Sequence, residues 1–141
     1  MSKRIVICAD GTWNRPEIDI VNNFPTNVLK IALSIKPIAN GAIEQQVYWD
    51  WGVGSYYQKI IGGGTGLGLH KNIMVCYRYI VQNFSVGDEL YFFGFSRGAY
   101  TIRSFFGLIN NCGVLQRPYA FLIQEAFEHY KHISKAYEPS S

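Results

Sequence analysis

The sequence predicts an α/β domain of three layers, with a mostly parallel β-sheet held between helices, and three observations lead there. Strand-like runs alternate with stretches of helical period three times over, the pattern of parallel strands joined by right-handed helical crossovers. The first strand-like run, Ile5 to Ala9, is apolar at every position, as suits a strand buried on both faces. The chain has 141 residues, 48% hydrophobic and 16% charged. A chain of that length buries roughly two-thirds of the surface its unfolded form exposes, enough for a real core.

Each element has its own grounds. Arg4 to Cys8 is the first strand and ends at a turn cluster, Asp10-Gly11-Thr12. Thr26 caps a helix through about Ser34, with Val28, Leu29, Ile31, Ala32 and Ile35 as its apolar stripe and Pro37 as its stop. A second strand runs near Gln46 to Trp49 and ends at Gly52-Val53-Gly54. The glycine-dense loop Gly62 to Gly68 leads into a helix from about Leu69 to Asn83, with Ile73, Tyr77, Ile80 and Val81 on one side. Gly87-Asp88 makes a turn into the strand Glu89-Leu90-Tyr91-Phe92-Phe93. A helix follows from about Arg97 to Ile109, with Asn110-Asn111-Cys112-Gly113 as its left-handed stop. The last helix starts at about Pro118, a residue suited to a first turn, and runs to near Tyr137. No repeat, low-complexity segment or linker interrupts this order, so residues 1–141 read as a single domain.

Composition excludes several function classes. Apolar residues are too frequent, and the net charge of +3 too small, for intrinsic disorder. Ile5 to Ala9 is far shorter than the roughly 20 residues of a transmembrane helix. It is also shorter than a signal-peptide core, and no small-residue cleavage site follows. The cytoplasm is the default location. Lys3, Arg4, Lys30, Lys71, Arg97 and Lys131 are scattered rather than clustered, which argues against a nucleic-acid surface. Cys8, Cys76 and Cys112 are odd in number and share no short spacing, so neither a disulfide framework nor a zinc site follows. No cofactor is expected. The Gly62 to Gly68 loop lacks the Lys-Ser/Thr pair of a P-loop and does not fit G-x-G-x-x-G. Tyr48, Trp49, Trp51, Tyr56, Tyr57, Phe105 and Phe106 are compatible with a partner surface or a lipid interface, but core packing explains most of them.

The informative stretch is Gly94-Phe95-Ser96-Arg97-Gly98, a G-x-S-x-G sequence between the best strand and a good helix. That context is what a nucleophile elbow needs. A serine on a tight strand-to-helix turn takes strained backbone angles and projects its hydroxyl above the sheet edge. Glycines two positions to either side, Gly94 and Gly98, remove the Cβ atoms that would collide there. The Arg97 backbone N–H, in the first turn of the helix, is placed to donate to an oxyanion with help from the helix dipole. A serine that merely fills the turn is the plainer alternative. A second donor is expected from a loop after another strand, and Gly11 or Thr12, after the first strand, is the natural candidate. Equally, Asp10 and Thr12 form a side-chain-bonded turn, as such residues often do.

At these residues the chain resembles the widespread α/β-hydrolase family that includes the phospholipase effectors of type VI secretion systems. The matching pieces are Asp10-Gly11-Thr12-Trp13-Asn14, Thr26-Asn27-Val28, Gly52-Val53-Gly54, Gly87-Asp88 and Gly94-Phe95-Ser96-Arg97-Gly98-Ala99-Tyr100. The resemblance implies an α/β-hydrolase fold that hydrolyses esters, with phospholipids as the substrates of characterised relatives. It implies Ser96 as nucleophile and the Gly11 loop as part of the oxyanion hole, with Asp10 lining the site. It also admits export without a signal peptide, through a type VI-like apparatus.

The chain departs from that pattern after the serine. In this fold the triad runs Ser, then Asp or Glu, then His. After Ser96 there is no Asp, and the later candidates are Glu125, Glu128, Glu138, His129 and His132. In the family the acid and histidine lie further along than this sequence extends, so it resembles the N-terminal part of a catalytic domain, a partial fold truncated at its C-terminal side. Glu125 with His129, and Glu128 with His132, are four apart and read as a solvated helix face; neither histidine, nor His70, is expected to be the base. Without a base a serine hydroxyl is a poor nucleophile, so this stretch alone is expected to be a weak or inactive hydrolase. The alternative is a non-catalytic remnant or half of a split enzyme, with a partner chain or C-terminal fragment bringing the acid and histidine. A phosphatase reading of Cys8-Ala9-Asp10-Gly11-Thr12, similar to the D-x-D-G-T loop of haloacid-dehalogenase-like enzymes, fails because Cys8 stands where the attacking carboxylate belongs.

Overall fold

The computed structural model describes residues 2–11, 25–51 and 67–136. Strand β1 (Arg4–Ala9) pairs in parallel with β3 (Ile43–Asp50) on one side and β4 (Glu89–Gly94) on the other. A two-residue strand, β2 (Ile38–Ala39), joins β3 in antiparallel fashion, giving the order β2-β3-β1-β4. Ala9 lies opposite both Asp50 and Gly94, so the three long strands end level. The ladder runs one residue further: the Asp10 N–H donates to the Asp50 carbonyl at 2.8 Å, and the Phe95 N–H to the Ala9 carbonyl at 3.1 Å.

The apolar run in β1 serves both faces by simple alternation. Ile5 and Ile7 enter a large core with Ile73, Tyr77, Ile80, Phe105, Leu108 and Phe127. Val6 and Cys8 point the other way, against Val28. Helix α1 (Asn27–Ser34) therefore covers one face, while α2 (Leu67–Asn83), α3 (Arg97–Cys112) and α4 (Ile123–Ala136) cover the other. The chain is a mixed four-stranded sheet between helices, an α/β architecture. The expected Gly52-Val53-Gly54 turn, most of the Gly62 to Gly68 loop, and Tyr56 and Tyr57 lie outside the described residues.

Three elements differ from the sequence reading. The second strand begins at Ile43 rather than near Gln46 because it is half of a hairpin. Asn40, Gly41 and Ala42 form its loop, with φ of 81° at Gly41 and 60° at Ala42, and Asn-Gly is a strong hairpin signal. Helix α3 runs past Ile109 to Cys112, where Gly113 (φ 70°) ends it and donates its N–H to the Ile109 carbonyl at 2.8 Å. The last helix is two pieces. Pro118 opens a 3-10 segment, Arg117–Leu122, in which Tyr119 departs from helical angles and no residue is buried. Regular α-helix starts only at Ile123, which is buried in the core, whereas Ala120 in the 3-10 segment is only partly buried against it.

The carboxyl ends of β1 and β4 form a topological switch point. The loop leaving β1 goes to α1 on one face, and the loop leaving the adjacent β4 goes to α3 on the other. Neighbouring parallel strands whose connections part in this way leave a gap outside their carboxyl ends, where ligands of open α/β sheets bind.

Candidate active site

Ser96 stands at that switch point, between the last residue of β4 and the first turn of α3. Its backbone, φ 54° and ψ −123°, is one of two positive-φ conformations of non-glycine residues among the described part of the chain. An L-residue adopts such angles only under constraint. Ser96 is exposed, and its hydroxyl caps no amide of the helix it begins.

The flanking glycines are steric necessities. A Cβ on Gly94 would lie 2.7 Å from the Cα of Ala99 and from the Gly98 carbonyl oxygen. A Cβ on Gly98 would overlap the Ala9 carbonyl and come within 2.6 Å of the Asp10 carbonyl oxygen. Helix α3 therefore presses directly on the end of β1, and only hydrogen at Gly98 permits it. The contact brings the Ser96 turn and the Asp10-Gly11 loop together. Arg97 is exposed at the helix start. First-turn N–H groups such as that of Arg97 lack a partner within their own helix.

Asp10 is buried, 1% exposed, and receives donors from three elements. The Gly11 N–H donates to its Oδ1 at 2.8 Å, the Thr26 hydroxyl to its Oδ2 at 2.6 Å, and the Trp49 indole N–H to Oδ2 at 3.4 Å. Thr26 in turn accepts the Leu29 N–H at 3.1 Å as the cap of α1. Asp10 thus engages the Gly11 amide, while the side-chain-bonded turn expected between Asp10 and Thr12 involves a residue outside the described part of the chain. Thr12 lies outside the described residues. The sequence shows Thr26 only as a helix cap; nothing in it pairs Thr26 or Trp49 with Asp10, because those contacts depend on the β1–β3 register.

No described contact joins a histidine to Ser96. His70 stacks edge-on against Phe127, ring centres 5.3 Å apart. His129 lines an open groove of about 590 Å³ beside Asn111, Cys112 and Leu115. Helix α3 rises about 1.5 Å per residue, so that end lies roughly 20 Å from Ser96. On α4, Glu128 pairs with Lys131 at 2.7 Å and with Gln124 at 3.1 Å; no described contact takes Glu125 or His132 to the serine. Among the described residues no three His, Cys, Asp or Glu side chains gather as metal ligands would, and no helix is long and apolar enough to cross a membrane. The aromatics divide. Tyr48 packs on Tyr79, ring centres 4.8 Å apart, and Phe105 is wholly buried, whereas Phe95, Tyr100 and Phe106 are more than half exposed.

The "T6SS, Phospholipase effector Tle1-like, catalytic domain" family matches residues 3–141. The chain is 27% identical over 150 residues to "Uncharacterized protein YEL023C" of Saccharomyces cerevisiae, an alignment covering 92% of this chain and 20% of the yeast protein. The chain thus spans about a fifth of that relative's length. No solved structure matches. The match over nearly all of the sequence places this chain in the family of the type VI secretion phospholipase effector Tle1-like catalytic domain.

Proposed function

We propose that this chain carries the nucleophile and oxyanion side of an α/β-hydrolase that cleaves carboxylic esters of phospholipids, and that residues 1–141 belong to one such catalytic domain. The observation that carries the reading is the backbone of Ser96, held at φ 54° on a strand-to-helix turn whose glycines cannot bear a Cβ. Such strain persists where the surrounding structure imposes it, and it clusters at functional sites.

In this reading the Ser96 Oγ attacks the ester carbonyl carbon while its proton passes to a histidine base. The carbonyl oxygen becomes an oxyanion, held by the Arg97 N–H and by an amide of the Gly11–Thr12 loop. Because Asp10 engages the Gly11 N–H, the Thr12 amide is the better second donor. Collapse expels the alcohol and leaves an acyl group on Ser96, which a water then hydrolyses. No described contact joins a histidine to Ser96, and in this reading the acid and the histidine are supplied from outside residues 1–141. The outer edge of β4 has no partner strand among the described residues, which supports a neighbouring segment or chain on that side. Family membership supports a lipid substrate and export by a contact-dependent apparatus.

The test is intact-mass detection of a fluorophosphonate adduct. The full protein should label at Ser96 and lose labelling in Ser96→Ala, while residues 1–141 alone should label slowly. A full protein that fails to label overturns the nucleophile assignment. Rapid Ser96-dependent labelling of residues 1–141 shows that the base lies within them.

A further inference from the structure

We infer that Asp10 is a positioning residue for the Ser96 site: its carboxylate fixes the loop after β1 and couples that loop to the cap of α1. The inference rests on the reading of Ser96 as a nucleophile and deepens it.

Burying a carboxylate is costly unless donors replace its water. Here Asp10 is 1% exposed at the carboxyl end of the central strand, a place where an apolar residue would serve the core. Donors reach it from its own loop, from the cap of α1 and from β3. Its carbonyl oxygen lies where a Cβ on Gly98 would collide, 2.6 Å away. Asp10 is therefore the point at which the first loop, α1, β3 and the turn bearing Ser96 meet.

The direction of each hydrogen bond matters. The Thr26 hydroxyl has one proton and gives it to Asp10, which leaves its oxygen turned to accept the Leu29 N–H. The Gly11 N–H is turned toward Oδ1, which sets the plane of the Asp10–Gly11 peptide. An Asn at this position has nearly the same shape but one acceptor oxygen and one NH2 group. At least one of Thr26, Gly11 and Trp49 would then face a donor instead of an acceptor. The loop would lose its orientation while the apolar core stayed as it is.

The experiment compares Asp10→Asn, Thr26→Val and Thr26→Ser in the full protein. Removing an oxyanion donor outright costs roughly 100- to 1,000-fold in rate, so mis-aiming one should lower Ser96 labelling by about 10- to 100-fold. In hydrolysis of a short p-nitrophenyl ester, kcat should fall by a similar factor with KM little changed. Thr26→Val should follow Asp10→Asn, and Thr26→Ser should retain wild-type rates. Hydrogen–deuterium exchange supplies a readout that needs no activity: peptides covering Ala9–Gly11 and Phe95–Ala99 should exchange faster in Asp10→Asn and Thr26→Val, but not in Thr26→Ser. Wild-type labelling by Asp10→Asn, or unchanged exchange around Ser96 in both disruptive variants, overturns the inference. If wild-type protein fails to label, the nucleophile reading fails, and exchange alone still decides whether Asp10 positions the turn.

Discussion

Replacing Ser96 with glycine should make the protein more stable, and replacing it with alanine should not. At φ 54° and ψ −123° a residue with a Cβ carries strain of roughly 1–3 kcal/mol. Glycine relieves it, and returns about 0.5–1 kcal/mol through the greater freedom of its unfolded chain. The net gain is about 1 kcal/mol, worth roughly 3–4 °C in Tm for a chain of this size. Alanine keeps the Cβ and hence the strain. It also loses nothing with the hydroxyl, which is exposed and caps no amide, so it should fall within about 0.5 kcal/mol of wild type. The difference between the two variants therefore isolates the backbone term. Thermal and urea unfolding followed by far-UV circular dichroism measure it directly, and both variants should lose fluorophosphonate labelling. A glycine variant no more stable than the alanine variant would refute the claim that the turn is strained, and with it the main argument for a nucleophile.

Gly98→Ala should cost about 3 kcal/mol, the upper range for an overpacked core site, because its Cβ would meet the backbone of Ala9 and Asp10. Its Tm should drop by about 10 °C, against a loss of about 1–2 kcal/mol for Gly113→Ala, which has open space and only a left-handed φ to contend with. Burial, with Asp10 adding for Cys8 and Asp50 for Cys76, pushes these thiols up to about 11 and about 12. In the folded protein at pH 8, a disulfide reagent should therefore modify the half-buried Cys112 first and leave Cys8 and Cys76 untouched until unfolding. Burial raises the Asp88 carboxyl, but bonds from the Lys3 side chain, the Lys3 N–H and the Ser85 N–H outweigh it and hold the group below the usual carboxylate range. Its stabilisation is present above about pH 4 and disappears as pH falls through the folded-state value. Urea unfolding from pH 3 to pH 6 should thus show a rise in stability that Asp88→Asn flattens.

The features legible in the sequence are those set by local chemistry. The alternation in β1, the Thr26 cap, the left-handed stop after α3 and the G-x-S-x-G turn each depend on residues a few positions apart. The hairpin was equally local, signalled by Asn40-Gly41, and belongs with them. Legibility ends where contacts depend on register. Ala9 opposite Asp50 and Gly94 is what puts Asp10 beside Trp49 and beneath Gly98, and no spacing along the chain encodes that. The 3-10 segment at Pro118 fails for a related reason. A proline suits the first turn of either helix type, and only the absence of buried residues from Arg117 to Leu122 leaves the α form with little tertiary support.

Strand β1 is held at both ends by an aspartate, and the contrast between them bears on which is functional. At its amino end, the Asp88 side chain is 1% exposed and pairs with Lys3 at 2.7 Å, while also accepting the Lys3 and Ser85 N–H groups. That clamp joins the start of β4 to the start of β1, at the edge of the sheet away from Ser96. At the carboxyl end, Asp10 is equally buried, and a hydroxyl, an indole and a glycine amide donate to it. A charge pair is the economical way to close a sheet edge where only stability is at stake, since the cation supplies attraction as well as a proton. The two aspartates therefore offer an internal comparison. A substitution at Asp88 should appear as lost stability without a change in Ser96 reactivity, and one at Asp10 as lost reactivity beyond what its stability accounts for.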